Sequence, residues 1–111
     1  MDAHAKVFEL SRLLHERARL GIMSILAARD DDVEFTELVR LLKLTKGNLS
    51  LHLRKLEEAG YITVKKEFVK RISRTTYRAT IAGRRDFTEY LCLLEEVIAG
   101  AKSNRGETEK K

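Results

Sequence analysis

The sequence has no proline, no tryptophan and a single cysteine, Cys92. With no second cysteine, no intrachain disulfide can form. A lone thiol on a predicted helix reads as a buried or interfacial residue, not a metal or redox centre. A reducing, cytoplasmic setting is the simplest one for such a chain. No run of about 18 apolar residues is present, so no segment suits a membrane-spanning helix. Met1 to Ala5 carries no apolar signal region, so secretion is not expected. Motifs of catalysis are missing too: there is no glycine-rich phosphate loop, no nucleophile elbow and no paired-carboxylate signature. The expectation is a protein that is not an enzyme. His4, His15 and His52 lie far apart, and with one cysteine they make a poor metal set, so no metal or cofactor is expected. Asp30-Asp31-Asp32 lacks the spacing of a calcium loop and reads as a solvated turn.

What is present is charge in one place. The 111 residues suit one compact domain. The net charge is +5, but residues 46–85 alone carry 11 Lys/Arg against 3 Asp/Glu. Residues 1–45 carry 7 against 8, and residues 86–111 carry 4 against 6. A basic block confined to the middle of a chain suits a polyanion, because each neutralised phosphate releases counterions. A solvated basic face is the plainer alternative.

Apolar periodicity organises the chain. Lys6 to Ala28 is helical by period and reads as two helices, one carrying Phe8, Leu10, Leu13 and Leu14, the other Leu20, Ile22, Met23, Ile25 and Leu26. Val33-Glu34-Phe35 suits a very short strand, and a helix follows from Phe35 or Thr36 with Leu38, Val39, Leu41 and Leu42. Thr45 is a good N-cap for the next helix, Lys46 to about Ala59. Its Leu49, Leu53 and Leu56 share one face, and Gly60 stands where helices often stop. Two β-rich runs, Tyr61–Lys65 and Thr75–Ala79, flank a basic connector, Val69 to Arg74, and so form a hairpin. Thr80 can cap a last helix from Ile81 to about Ala101, and the polar tail 102–111 is expected to be disordered.

Helix, short turn, capped helix and basic hairpin make a winged helix-turn-helix: mainly α with a β-hairpin wing. Residues 1–101 form the domain, with helix-turn-helix and wing at about 35–80. The second helix of such a motif fits the major groove, and the hairpin reaches backbone or minor groove. With the leucines inward, the second helix presents Gly47, Asn48, Leu51, Arg54, Lys55 and Glu58 outward, with Ser50 and His52 on the flanks. Asn48 can pair with adenine and Arg54 with guanine. Leu51 can meet a thymine methyl or a neighbouring side chain. Thr45, Lys46 and Gly47 place backbone and charge at the positive helix end. Lys70, Arg71 and Arg74, with Lys65 and Lys66 along the strand, read as phosphate contacts. The expected partner is double-stranded DNA, with a protein-interaction module or an RNA-binding role as alternatives.

The last helix holds more apolar groups than one small core needs. Phe87, Tyr90, Leu91, Leu94, Val97 and Ile98, with Phe8, Leu10, Leu13 and Leu14, predict a homodimer through helices at about 6–14 and 81–101. The alternative is that both helices cover the monomer core.

The run from Thr45 to Ile62 resembles the recognition-helix signature of small prokaryotic winged-helix regulators of the ArsR and MarR types. Arg74-Thr75-Thr76-Tyr77 before the last strand, Thr80 to Gly83 opening the last helix, and His15, Arg19, Leu20 and Ile22 extend the resemblance over about residues 10–95. It implies homodimerisation through terminal helices and a role as transcriptional regulator. Metal-sensing ArsR-type members carry paired cysteines on the first helix of the motif; Phe35 to Lys43 has none. The operator, the sign of regulation and any small-molecule effector are not written in the sequence.

Overall fold

A computed structural model describes the backbone of residues 16–109 and the side chains of residues 16–103. In chain order the elements are α1 (Arg17–Ala27), β1 (Val33–Glu34), α2 (Phe35–Leu42), α3 (Lys46–Glu58), β2 (Ile62–Val69), β3 (Ile72–Ala79) and α4 (Ile81–Glu109). The strands form one antiparallel sheet in the order β1-β3-β2. This is a winged helix fold. The expected helix with Phe8, Leu10, Leu13 and Leu14 lies outside the described residues.

The core is built from one face of each element. Ile22, Met23 and Leu26 of α1 pack with Leu38 of α2 and with Leu49, Leu53 and Leu56 of α3, all at most 2% exposed. Val33, Ile62 and Ala79 close it from the sheet. Each buried leucine stabilises the fold by about 1.5–3 kcal/mol. The inward stripe therefore holds α3 in place and leaves its outward face free to carry polar groups.

Local chemistry sets the turn between α2 and α3. Lys43 ends α2 in the left-handed region, φ 55°, with its N–H donating to the Val39 carbonyl at 2.9 Å. Thr45 is extended, and its Oγ1 accepts the Asn48 N–H at 3.2 Å, capping α3. Gly60 (φ 80°) then turns the chain into β2.

The hairpin differs from its expected form. Its strands pair from Ile62↔Ala79 out to Val69↔Ile72, so the connector is only Lys70-Arg71. Arg74 is therefore a strand residue. Both turn residues have positive φ, 52° and 68°, as a two-residue hairpin turn requires. The usual Asn or Gly is missing there, which is why the sequence reads as a longer loop.

Thr80 fastens α4 to the end of α3. Its Oγ1 accepts the Gly83 N–H at 2.9 Å and donates to the Gly60 carbonyl at 2.7 Å. A Cβ on Gly83 would lie 2.1 Å from the Tyr61 carbonyl oxygen, so only glycine fits this crossing. Arg84 donates to the carbonyls of Ala27 and Arg29 at 2.8 and 2.7 Å, closing the end of α1.

Two further expectations change in α4. The helix runs through Glu109, across most of the stretch 102–111 expected to be disordered. No proline interrupts the stretch, and Lys102, Arg105, Glu107 and Glu109 favour helix among the weaker formers Ser103, Asn104, Gly106 and Thr108. Phe87 and Tyr90, expected at a dimer interface, are buried in the chain's own core at 5% and 7% exposure. Leu94 packs against that core as well. Residues 87, 90 and 94 share one helix face, and that face meets the core. Leu91, Val97 and Ile98 are left exposed, and every residue from Glu95 to Ser103 is exposed.

Candidate nucleic-acid interface

The interface is assembled by α3 and the hairpin. Lys46, Gly47, Asn48, Ser50, Leu51, Arg54 and Lys55 are all exposed on α3, as the wheel of the sequence expects. Thr45 is exposed too, with its hydroxyl engaged as the cap. Leu51 is 44% exposed, a large apolar side chain in the middle of a polar face. A Cβ on Gly47 would meet nothing within 4 Å. Among the described residues nothing therefore requires glycine at that position.

Ser50, Leu53, Arg54 and Glu57 of α3 share a hollow of about 270 Å³ with Val64 and Lys66 of β2 and Tyr77 of β3. Helix and hairpin thus flank one surface. Lys70 and Arg71 stand exposed at its outer end.

His52, expected on the flank of the helix as a candidate DNA contact, turns toward the protein. It is half-buried, and its Nδ1 accepts from Nε of the buried Arg19 at 3.3 Å. Burial, then the Arg19 charge, lowers its pKa below the usual histidine range, outweighing nearby Glu16. An imidazole held neutral is the form that can accept from a guanidinium. His52 thus links α3 to α1.

Arg74, expected as a phosphate contact of the wing, is engaged within the protein. Its Nε lies 3.0 Å from Glu34 Oε1, and its Nη1 lies 3.9 Å from Glu67 Oε1. Arg78 pairs with Asp32 at 2.9 Å, Arg85 lies 3.2 Å from Asp86, and Arg84 binds the carbonyls at the end of α1. Lys65 has Glu67 at 3.9 Å. The basic block of residues 46–85 therefore divides in two. One part is neutralised within the protein. Lys46, Arg54, Lys55, Lys66, Lys70 and Arg71 have no acidic partner among the described residues, and all six lie on α3 or the hairpin. No count of charges along the chain could make that division, because Glu34 and Asp32 reach the sheet from a distant part of the sequence. The sequence reading also missed Phe68, 79% exposed near the hairpin tip, because the strand there is longer than its alternation suggests.

No described helix is long and apolar enough to cross a membrane.

Comparison with known proteins agrees with this geometry. Residues 18–98 match the family model of the winged helix DNA-binding domain. A curated relative, an uncharacterised protein of Methanocaldococcus jannaschii, is 35% identical over 80 residues, covering 72% of this chain and 86% of its own. A solved structure described as a transcriptional regulator homologue, from Pyrococcus horikoshii OT3, superposes with a TM-score of 0.79 at 33% identity, covering 91% of this chain and 98% of that one. A protein of Enterococcus faecalis V583 described as a MarR-family transcriptional regulator shares the fold, with a TM-score of 0.74, 22% identity and 94% of each chain covered. By the extent of the family match and by these relatives, the chain belongs to the winged helix DNA-binding domain family.

Proposed function

We propose that this protein is a DNA-binding regulator of transcription that reads sequence in the major groove with α3 and anchors its wing on the backbone and minor groove. The observation that carries the reading is the segregation of charge. Six cations with no acidic partner among the described residues line α3 and the hairpin, while Arg74, Arg78, Arg84 and Arg85 are engaged elsewhere. A protein-interaction module has no need of that arrangement. Asn48 and Arg54 have the hydrogen-bonding groups to read base edges, and Leu51 can meet a thymine methyl. Lys46, Lys55, Lys66, Lys70 and Arg71 suit phosphates, which fix orientation and carry little sequence information.

The protein acts as a two-fold homodimer in this reading. Beyond Leu94, α4 has no cover from the described part of its own chain, and Val97 and Ile98 are exposed. A groove of about 1190 Å³ between α1 and α4, lined by Leu20, Leu42, Leu44, Phe87 and Leu91, adjoins it. A second copy would cover this apolar surface and set two recognition helices about 34 Å apart, one DNA turn.

A salt titration tests the DNA reading. Five phosphate contacts per protomer, ten per dimer, make affinity fall by roughly 10⁵ between about 50 and 200 mM salt. Arg54→Ala is expected to relax preference at one base pair, and Arg71→Ala to weaken all duplexes alike. Absence of duplex binding at low salt overturns the proposal.

A further inference from the structure

The hairpin tip mixes two kinds of residue. Lys70 and Arg71 form the turn, with Lys66 nearby, all exposed. Among them stand Phe68 at 79%, Ile72 at 70% and Val69 at 41% exposure. The strand register sorts these residues. Val69 is paired with Ile72 on one face, and Phe68 with Ser73 on the other. Phe68 lies on the face that carries Val64 and Lys66, which share the hollow with α3. It is thus on the side of the wing that belongs to the candidate interface. Phe35 and Phe87, by contrast, are packed into or against the core.

We propose that Phe68 is an apolar wedge that the wing inserts between base pairs from the minor groove, bending the duplex. This rests on the DNA-binding reading above. Two observations favour DNA as the occupant over a protein surface. Phe68 stands among Lys66, Lys70 and Arg71, which have no acidic partner among the described residues, and this suits phosphates on both walls of a groove. Phe68 shares its face with the surface that α3 builds. The hairpin is too broad for an undisturbed groove. Its two strands alone are about 4.8 Å apart, and the minor groove is about 6 Å wide. Entry of the tip with its side chains requires the groove to open, and an inserted apolar side chain opens it by unstacking a step. Pyrimidine–purine steps unstack most readily, so the wedge selects for a TA or CA/TG step beneath the wing. The wing then contributes specificity without a hydrogen bond to any base.

The experiment uses the full chain and duplexes of about three helical turns, enriched by the wild-type protein from a random pool. The bend is measured by energy transfer between labelled ends. Unstacking is followed by 2-aminopurine fluorescence at the enriched step. The wild type is expected to bend its duplex by about 20–90°. Phe68→Ala is expected to lose most of the bend and the fluorescence rise, with affinity down by about tenfold and an unchanged salt slope, since no charge is removed. Phe68→Leu is expected to keep both signals. Phe68 is exposed, so an unchanged melting temperature certifies the fold of each variant. A wild-type complex that binds tightly but stays straight overturns the wedge and spares the DNA reading. So does a Phe68→Ala variant that bends as the wild type does, in which case a protein partner is left as the occupant of the patch. A wild-type chain that binds no duplex at low salt removes both proposals.

Discussion

Gly47 stands one residue into α3, where alanine would serve the helix better. Its missing Cβ spares no internal contact. Glycine in a helix costs about 0.5–1 kcal/mol relative to alanine. Gly47→Ala is therefore expected to raise stability by up to that amount while weakening duplex binding, because the helix N-terminus can no longer approach a phosphate closely. Thermal melting and DNA titration of one sample check both halves. A variant that gains stability and keeps its affinity removes Gly47 from the interface. His52 makes the reverse case, a polar residue turned inward. Its folded pKa is lowered by burial and by Arg19, with Lys55 acting in the same direction and Glu16 against it. The unfolded chain takes up that proton first, near pH 6.5. The stability contributed by the neutral imidazole is therefore present above about pH 6.5 and is lost as pH falls from there through the folded pKa. His52→Gln is expected to flatten the decline of melting temperature between about pH 7 and pH 5. An unchanged slope would show that protonation of His52 does not contribute to it.

At the scale of elements, what could be read in advance followed from contacts close in sequence. The cap at Thr45, the leucine stripe of α3 and the stop at Gly60 are spelled by neighbouring residues, and the structure has all three. The hairpin tip was not legible, because its turn breaks the usual residue preference. Nor was the fate of Arg74 and His52, whose partners Glu34 and Arg19 lie far away along the chain. The tip has an energetic consequence. Left-handed backbone costs a residue other than glycine about 1–2 kcal/mol, and Lys70 and Arg71 both adopt it. Lys70→Asn with Arg71→Gly supplies the pair that this turn favours. The double variant is expected to be more stable by about 1–3 kcal/mol. Its salt dependence of DNA binding should fall by about two phosphate contacts per protomer. Loss of stability would mean that the tip is not strained. An unchanged salt slope would mean that its cations touch no phosphate.

For the whole molecule, the central question is what covers the outer half of α4. An isolated helix shorter than about 12–15 residues is marginal in water, so in the proposed dimer the part of α4 past its last core contact at Leu94 would be supported by the partner copy. The sequence overcounted the apolar groups available for that neighbour, since Phe87 and Tyr90 serve the chain's own core. Leu91, Val97 and Ile98 remain, and Val97 and Ile98 can be changed without touching the core. Val97→Glu with Ile98→Glu is expected to leave the spectroscopic signature of the fold intact and to shift the protein from dimer to monomer in sedimentation velocity at micromolar concentration. DNA binding reads the same event. A dimer engages its second half-site at high effective concentration, which is worth about 10²–10⁴ in avidity. The monomeric variant should lose affinity by that order for a two-half-site duplex and bind a single half-site as the wild-type protomer does. If the variant stays dimeric, the interface lies elsewhere, and the groove between α1 and α4 becomes the next surface to change. If it is monomeric and still binds a two-half-site duplex at full affinity, each wing and recognition helix acts alone, and two-fold operator symmetry is not required.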